Sequence, residues 1–363
     1  MKIVKQIAKV GLGVALLLVV ALVIMASVRT DLSEFDDSYA SPATAPVTVR
    51  FFGTSSMMFS DGKTNIMIDG WFTRPDVSDG IFGKIEPDVA TIDAGLKRLG
   101  NPEIAALIPV HSHYDHAMDV AEIAKKPGVA LLGSQSTKNI ALGACEDIND
   151  CDVGRRTTVM SDGDYRCFGN FKITLFETEH FENPSKLLKK LIKLNPEITA
   201  PLTPPAPVAS YGTGLVYSVL IEHTEGTALV HASAGYKEGA LAALDLDVDT
   251  VFLGIGGLAS KNKQYQDDYW REVVTATKAE GVYPIHWDSL TDSALKATNR
   301  PFAPNLIAND IFNAKAKEGI KGSFAKARQD GLSIALLPMW DAVDAFLNNK
   351  PSQNKTRPEC PLK

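Results

Sequence analysis

The sequence predicts an α+β body in which β-sheets are covered on their outer faces by helices. Two observations carry that prediction. Short runs rich in β-branched and aromatic residues dominate the first half of the chain, separated by turn signals such as "SDGK". In the second half, similar runs alternate with segments of helical spacing, as when "DTVFLGIGG" is followed by "DYWREVVTATKAEG". With 363 residues, 45% hydrophobic and 22% charged, the chain has length for one large domain or two ordinary ones.

The N-terminus departs from a soluble pattern. Lys2, Lys5 and Lys9 make residues 1–9 a basic end, and Val10–Val28 then carries no charge. A helix of that length reaches roughly 30 Å, the hydrocarbon thickness of a bilayer. The apolar region of a cleaved signal peptide is shorter and is followed closely by a small-residue site. Here the small-residue sites Ser38-Tyr39-Ala40 and Ala43-Thr44-Ala45 lie well past the run, so an uncleaved signal anchor is expected over residues 10–28. Secretion after cleavage is the alternative. The three lysines before the span, against Arg29 followed by Asp31, Glu34, Asp36 and Asp37 after it, orient the amino end to the cytoplasm. The body is then exported, to the periplasm or the cell exterior.

Residues 29–46 turn polar and contain "SPATAP", which reads as an extended linker. The folded body is expected over 47–345. Within it, "VTVRFF" and "TNIMIDGWF" flank "SDGK" as a hairpin would, and "IAALIPV" is a buried strand running into a loop. "MDVAEIAKK" has helical spacing, so the stretch between is a strand-to-helix loop. "FKITLFETEH" reads as a strand, and "GLVYSVLIEHTEGTALVHAS" as a hairpin turning at Glu225-Gly226. "DTVFLGIGG" is a strand entering a glycine loop, "DYWREVVTATKAEG" a helix with a glycine stop, and "VYPIHW" a short strand. Residues 346–363 form a tail, loose unless Cys360 pins it.

Residues 182–213 form an insertion. Leu187, Leu188, Leu191, Ile192 and Leu194 fall on one helical face and Lys186, Lys189, Lys190 and Lys193 on another. Such a helix packs its leucines on the body, or else serves as a lid or lies on an anionic membrane surface. The four cysteines suit an exported protein. Cys145 and Cys151 are close enough for a local disulfide, leaving Cys167 and Cys360 as a second pair, although other connectivities and free buried thiols remain open. A net charge of -6 argues against nucleic acid as a partner. There is no G-x-S-x-G elbow for serine-hydrolase chemistry, and "GIGG" lacks the spacing of a dinucleotide fingerprint.

The chemistry sits in "PVHSHYDHAMD". The chain has 7 histidines, yet His111, His113 and His116 crowd into this loop with Asp115. Two histidines two residues apart on a bending loop can face one ion, and an Asp-His pair immediately after can face a second. Imidazole and carboxylate suit zinc, manganese or iron.

"HSHYDH" resembles the H-x-H-x-D-H signature of the metallo-β-lactamase superfamily. Asp69 in "IMIDG", His180 in "ETEHFEN" and His286 in "VYPIHWD" follow the family's order, and "DTVFLGIGGL" is similar to the branch with ascorbate-6-phosphate lactonase and N-acylphosphatidylethanolamine phospholipase D. The resemblance implies a four-layer αββα sandwich with metals at the edge between its sheets. His111, His113 and His180 would hold one ion, and Asp115, His116 and His286 the other. Zinc is the expected metal, one or two ions, with manganese or iron as alternatives. Asp115 would also orient the hydroxide that a divalent cation generates near neutral pH.

The sequence departs from the family at one position. Where the family has a bridging aspartate, "VHASAGY" puts Ser233, which deprives the cluster of a negative charge. His231, two residues earlier, is a candidate compensating ligand, and Asp69 a candidate metal or substrate contact. His223, beside the hairpin turn, reads as an exposed surface histidine. "FGTSS" could line the pocket, although serines in a turn after a strand are more often turn residues. The expected function is a membrane-anchored metal-dependent hydrolase of an ester, lactone, amide or phosphodiester bond in a small molecule or lipid. A lipid phosphodiesterase, an iron-dependent redox enzyme and a non-catalytic metal-binding module are the alternatives.

Overall fold

The computed structural model describes residues 17, 20, 21, 23–76, 79, 83–181, 197–311, 314–347 and 360. Strands buried on both faces build two sheets that share one core. The first sheet contains β1 (Thr48–Phe51), β2 (Met57–Ser60), β3 (Asn65–Ile68), β4 (Ile104–Ile108), β5 (Ala130–Gly133), β6 (Thr158–Val159) and, from the far end of the chain, β14 (Ala342–Asp344). Its order is β14-β1-β2-β3-β4-β5-β6. The second contains β7 (Tyr165–Phe168), β8 (Phe171–Thr178), β9 (Val216–His223), β10 (Gly226–His231), β11 (Thr250–Gly254), β12 (Gly281–Ile285) and β13 (Ser333–Ile334), in the order β13-β12-β11-β10-β9-β8-β7.

The two halves are built alike. Each begins with antiparallel neighbours, β1-β2-β3 and β7-β8-β9-β10, and continues with parallel ones. In the first sheet β3, β4, β5 and β6 run parallel, and in the second β10, β11, β12 and β13 do. Parallel neighbours need crossovers, and helices supply them except between β10 and β11, where the described connection holds only a 3-10 turn, Ala242–Leu244. The helices are α1 (Val89–Arg98), α2 (Tyr114–Ala117), α3 (Val120–Ala124), α4 (Gln135–Gly143) and α5 (Asp152–Arg156) in the first half, with α6 (Lys263–Trp270) and α7 (Ala316–Asp330) in the second.

Strand periodicity separates the layers. Ala228 and Val230 of β10, Phe252 of β11 and Tyr283 of β12 face the core shared with the first sheet, where Phe59 meets Phe252 edge-on at 5.2 Å. The alternate residues Leu229, Val251, Leu253 and Val282 face Tyr269 and Trp270 of α6 and Ile320 and Ala327 of α7. The chain is therefore a mixed α/β body with two sheets, as expected.

Several local expectations change. "SDGK" joins β2 to β3 rather than β1 to β3, because a further strand, Met57–Ser60, pairs with both. α6 ends at Trp270 and continues as a wider π turn over Arg271–Thr275, and Gly281 opens β12 instead of stopping the helix.

The stretch expected to be an extended linker is packed against the body. Phe35 is buried against Phe324 of α7 at 5.7 Å. Arg29 pairs with Asp292 at 2.5 Å, Glu34 with Lys317 at 2.8 Å, and Asp36 with Arg300. Ala40 donates its N–H to Leu336 O, and Thr44 and Ala45 donate theirs to Asp344. One buried aromatic and a ladder of backbone bonds outweigh the polar composition that suggested a free chain.

Residues 10–16, 18, 19 and 22 of the expected anchor, and 182–196 with its basic amphipathic segment, lie outside the described residues. Among the described residues no helix is long and apolar enough to cross a membrane. Cysteines pair as Cys145–Cys151 and Cys167–Cys360, the second fixing residue 360 to β7.

Candidate metal centre

The strand directions decide where the histidines meet. β3 and β4 are parallel, and β8 runs the same way as β10 and β12 because β8 and β10 both flank β9 antiparallel. Asp69 directly follows β3, His111 and His113 leave the end of β4, His180 the end of β8, Ser233 the end of β10, and His286 directly follows β12. Five carboxyl ends thus deliver these side chains to one edge of the two sheets.

Two groups of ligand-capable side chains result, His111 with His113 and His180, and Asp115 with His116 and His286, each with its donor atoms within 4.8 Å of one another. The split arises locally. His111 and His113 lie in extended loop, while His113 O accepts the N–H of His116 at 3.0 Å and of Ala117 at 2.8 Å to start α2. That turn of helix swings Asp115 and His116 towards the second group.

In the first group His111 Nε2 is 3.0 Å from His113 Nδ1. The outer nitrogens are fixed from behind, His113 Nε2 at 2.9 Å from Thr213 Oγ1 and His180 Nδ1 at 2.7 Å from Phe181 O. In the second group His286 Nε2 lies 3.2 Å from His116 Nε2 and 3.3 Å from Asp115 Oδ2. Asp69 stands behind this group rather than in it. Its Oδ2 sits 2.9 Å from His116 Nδ1 and accepts the Ser55 hydroxyl at 2.5 Å, and its Oδ1 accepts the Val110 N–H at 2.8 Å.

Burial pushes the His113 imidazole down to about 3, with His180 adding to it, and the His180 imidazole to about 4. Burial also holds His111 well below its ordinary value. Three neutral rings therefore turn lone pairs towards one another, and His111 Nδ1 is buried without a hydrogen-bond partner. At Asp115, burial would raise the pKa, but His116 and His286 outweigh it and the carboxyl stays ionised; at His116, burial would lower the pKa, but Asp69 and Asp115 outweigh it. Convergent neutral imidazoles and an ionised carboxylate fit a divalent cation, the group that such a donor set serves.

Ser233 does not face the two groups as a free hydroxyl. Its Oγ accepts the N–H of Phe181 at 2.8 Å and of Gly235 at 3.3 Å, so it clamps the turn that carries His180. Gly235 presses against the same turn, where an added Cβ would meet Glu179 O at 2.4 Å. His231, expected as a compensating ligand, has both ring nitrogens occupied elsewhere, Nδ1 at 2.7 Å from Ser218 Oγ and Nε2 at 2.6 Å from Gly235 O. His223 is buried, not exposed, against Phe171 and 3.5 Å from Asp61. In the "GIGG" loop an added Cβ on Gly256 would lie 2.9 Å from His286 Nδ1, so this glycine gives the ring its room.

Two supporting residues were given no role by the sequence. Ser55, in the "FGTSS" turn, reaches both Asp69 and His116, the latter at 3.1 Å. Thr213, at the end of the proline-rich stretch, carried no signal at all.

No protein-family model matches the sequence, and no curated protein matches it. Among solved structures the chain is similar to Igni18, a metallo hydrolase from the archaeon Ignicoccus hospitalis, with 15% identity and a TM-score of 0.47 over 82% of this chain and 97% of that one. It is similar to the metallo-β-lactamase fold protein YhfI from Bacillus subtilis, with 12% identity and a TM-score of 0.44 over 82% and 98% of the two chains. It is also similar to CmlA, a diiron β-hydroxylase from Streptomyces venezuelae, with 16% identity and a TM-score of 0.47 over 85% and 55%.

Proposed function

We propose that the protein is a metal-dependent hydrolase of the metallo-β-lactamase type, acting on an ester, lactone, amide or phosphodiester. The observation that carries this reading is the pair of converging triads at the strand ends. His111, His113 and His180 hold one ion; Asp115, His116 and His286 hold a second, more weakly, because Ser233 supplies no bridging carboxylate. Zinc suits the nitrogen-rich set best, with manganese and iron as competitors. A divalent cation there supplies Lewis acidity and lowers the pKa of water towards 7.

The chain's own residues do the rest. Asp115, ionised and 3.3 Å from His286, accepts a hydrogen bond from the attacking water and aligns it. Asp69 and Ser55 hold His116 with Nε2 turned inward, while Thr213 and Phe181 O hold His113 and His180. Elemental analysis of the purified protein with a hydrolase substrate panel tests the reading. Bound divalent metal with turnover lost in His113→Ala is the expected result. Iron with oxygen consumption and no hydrolysis would assign redox chemistry instead, and metal without any turnover would leave a binding module.

A second reading concerns location. The apolar run before the body, with Leu17, Val23 and Ile24 more than half exposed, supports a single-pass anchor with the body exported, which suits two disulfides. A lipid substrate is then within reach, and hydrolysis of phospholipid vesicles but not of soluble esters would select it.

A further inference from the structure

The segment after Asp69 is pinned by hydrogen bonds from three successive backbone N–H groups. Trp71 donates its N–H to Ser56 Oγ at 2.9 Å, and Phe72 and Thr73 donate theirs to Asp119 Oδ2 at 2.8 and 2.7 Å. The segment ends at Arg74, whose guanidinium carbon lies 3.6 Å over the Trp71 ring. Arg74 Nη1 donates to Thr54 Oγ1 at 2.9 Å. Thr54 in turn accepts the His286 N–H on its own carbonyl at 2.7 Å, so the guanidinium is tied to the wall of the second metal group.

This cation is poorly satisfied. Arg74 Nε is buried with no hydrogen-bond partner, as is Trp71 Nε1 beside it. Among the described residues no carboxylate oxygen comes within 4.0 Å of the guanidinium, although Asp288, Asp119 and Asp115 attract it from farther away. Those carboxylates have other work. Both Asp288 oxygens accept the Thr54 N–H, at 2.8 and 3.0 Å, and Asp119 Oδ2 takes two backbone donors, leaving Oδ1 buried and unpaired. Burial lowers the Arg74 pKa to about 10, so the side chain is charged at neutral pH. A planar fork of N–H donors with a free edge matches a phosphoryl or carboxylate group.

We propose that Arg74 receives an oxyanion group of the substrate beside the metal centre, which makes it a specificity-determining residue. The inference deepens the hydrolase reading and rests on it: the substrate is anionic. Charge balance points the same way. With serine at position 233, the two triads contain a single carboxylate, Asp115, so a cation-loaded site keeps a strong positive excess that an anion relieves.

Inorganic phosphate is the probe. Calorimetric titration of the metal-containing protein gives a phosphate affinity that falls at least tenfold in Arg74→Met at unchanged metal content and is partly restored in Arg74→Lys. An Arg74→Met protein that keeps its metal and binds phosphate like the parent overturns the assignment. If Arg74→Met does not fold, a crystal structure of the unmodified protein with phosphate decides. Phosphate oxygens within hydrogen-bonding distance of the Arg74 guanidinium support the proposal; phosphate elsewhere, or none, overturns it. Failure of the hydrolase reading is separate, since it would appear as phosphate bound at Arg74 with no turnover of any substrate.

Discussion

Asp69 Oδ2 lies 2.9 Å from His116 Nδ1, with both side chains fully buried. The carboxylate fixes the ring so that its other nitrogen faces Asp115 and His286, and it raises the basicity of that nitrogen. Asp69→Asn keeps the shape but removes the charge, and metal affinity at the second group is expected to drop about 10- to 100-fold. Chelator-competition titration checks this. Unchanged affinity would mean that Asp69 serves only as an acceptor for the Val110 N–H and the Ser55 hydroxyl.

Ser233 is expected to matter through the turn it clamps. Ser233→Ala leaves the Phe181 and Gly235 N–H groups without their acceptor, at a cost of about 1–3 kcal/mol, and loosens His180. Metal held by His111, His113 and His180 should exchange faster, while metal at the other triad is little changed. Two ions held equally tightly in the unmodified protein would contradict the weak second site assigned above.

Buried His231 makes stability depend on pH. Burial pushes its pKa down to about 4 from 6.5, so the neutral form is favoured in the fold. The stability this contributes is fully present above pH 6.5 and is lost as pH falls through about 4. The amount is about 3 kcal/mol. Chemical unfolding of chelated protein at pH 7 and near pH 4.5 should show a smaller loss for His231→Gln than for the parent. Equal losses would remove His231 as a source.

The packed segment after the apolar run predicts a sharp difference between two truncations. A chain beginning at Arg29 retains the Phe35 contact and the Arg29–Asp292 pair, and its melting temperature should match the full chain. A chain beginning at Val47 loses both. Loss of a buried phenylalanine alone costs about 3–5 kcal/mol, enough to lower the melting temperature by several degrees. Equal melting temperatures would show the segment to be a mere passenger.

The metal loop and the strands around it were legible because their signals are local. "HSHYDH" joins two ligand sets within one loop, and His180 and His286 end runs whose apolar character marks them as strands. What the sequence hid depends on distant partners. Ser233 looked like a lost ligand because its contact with Phe181 spans 52 positions. His223 read as exposed from its neighbouring turn, yet Phe171 and Asp61 cover it. Residues 29–46 read as free from composition, since a single buried Phe35 does not alter a polar average.

Three residues at the metal centre adopt a left-handed backbone without being glycine: Thr54 at φ 59°, Asp69 at φ 57° and His286 at φ 60°. Each such conformation costs on the order of 1–3 kcal/mol and persists only where surrounding contacts enforce it. Glycine at Thr54 would relieve that tension and toughen the fold, yet it would delete the hydroxyl that steadies Arg74. Selection for heat resistance alone would therefore erode the site first at its most contorted backbone positions.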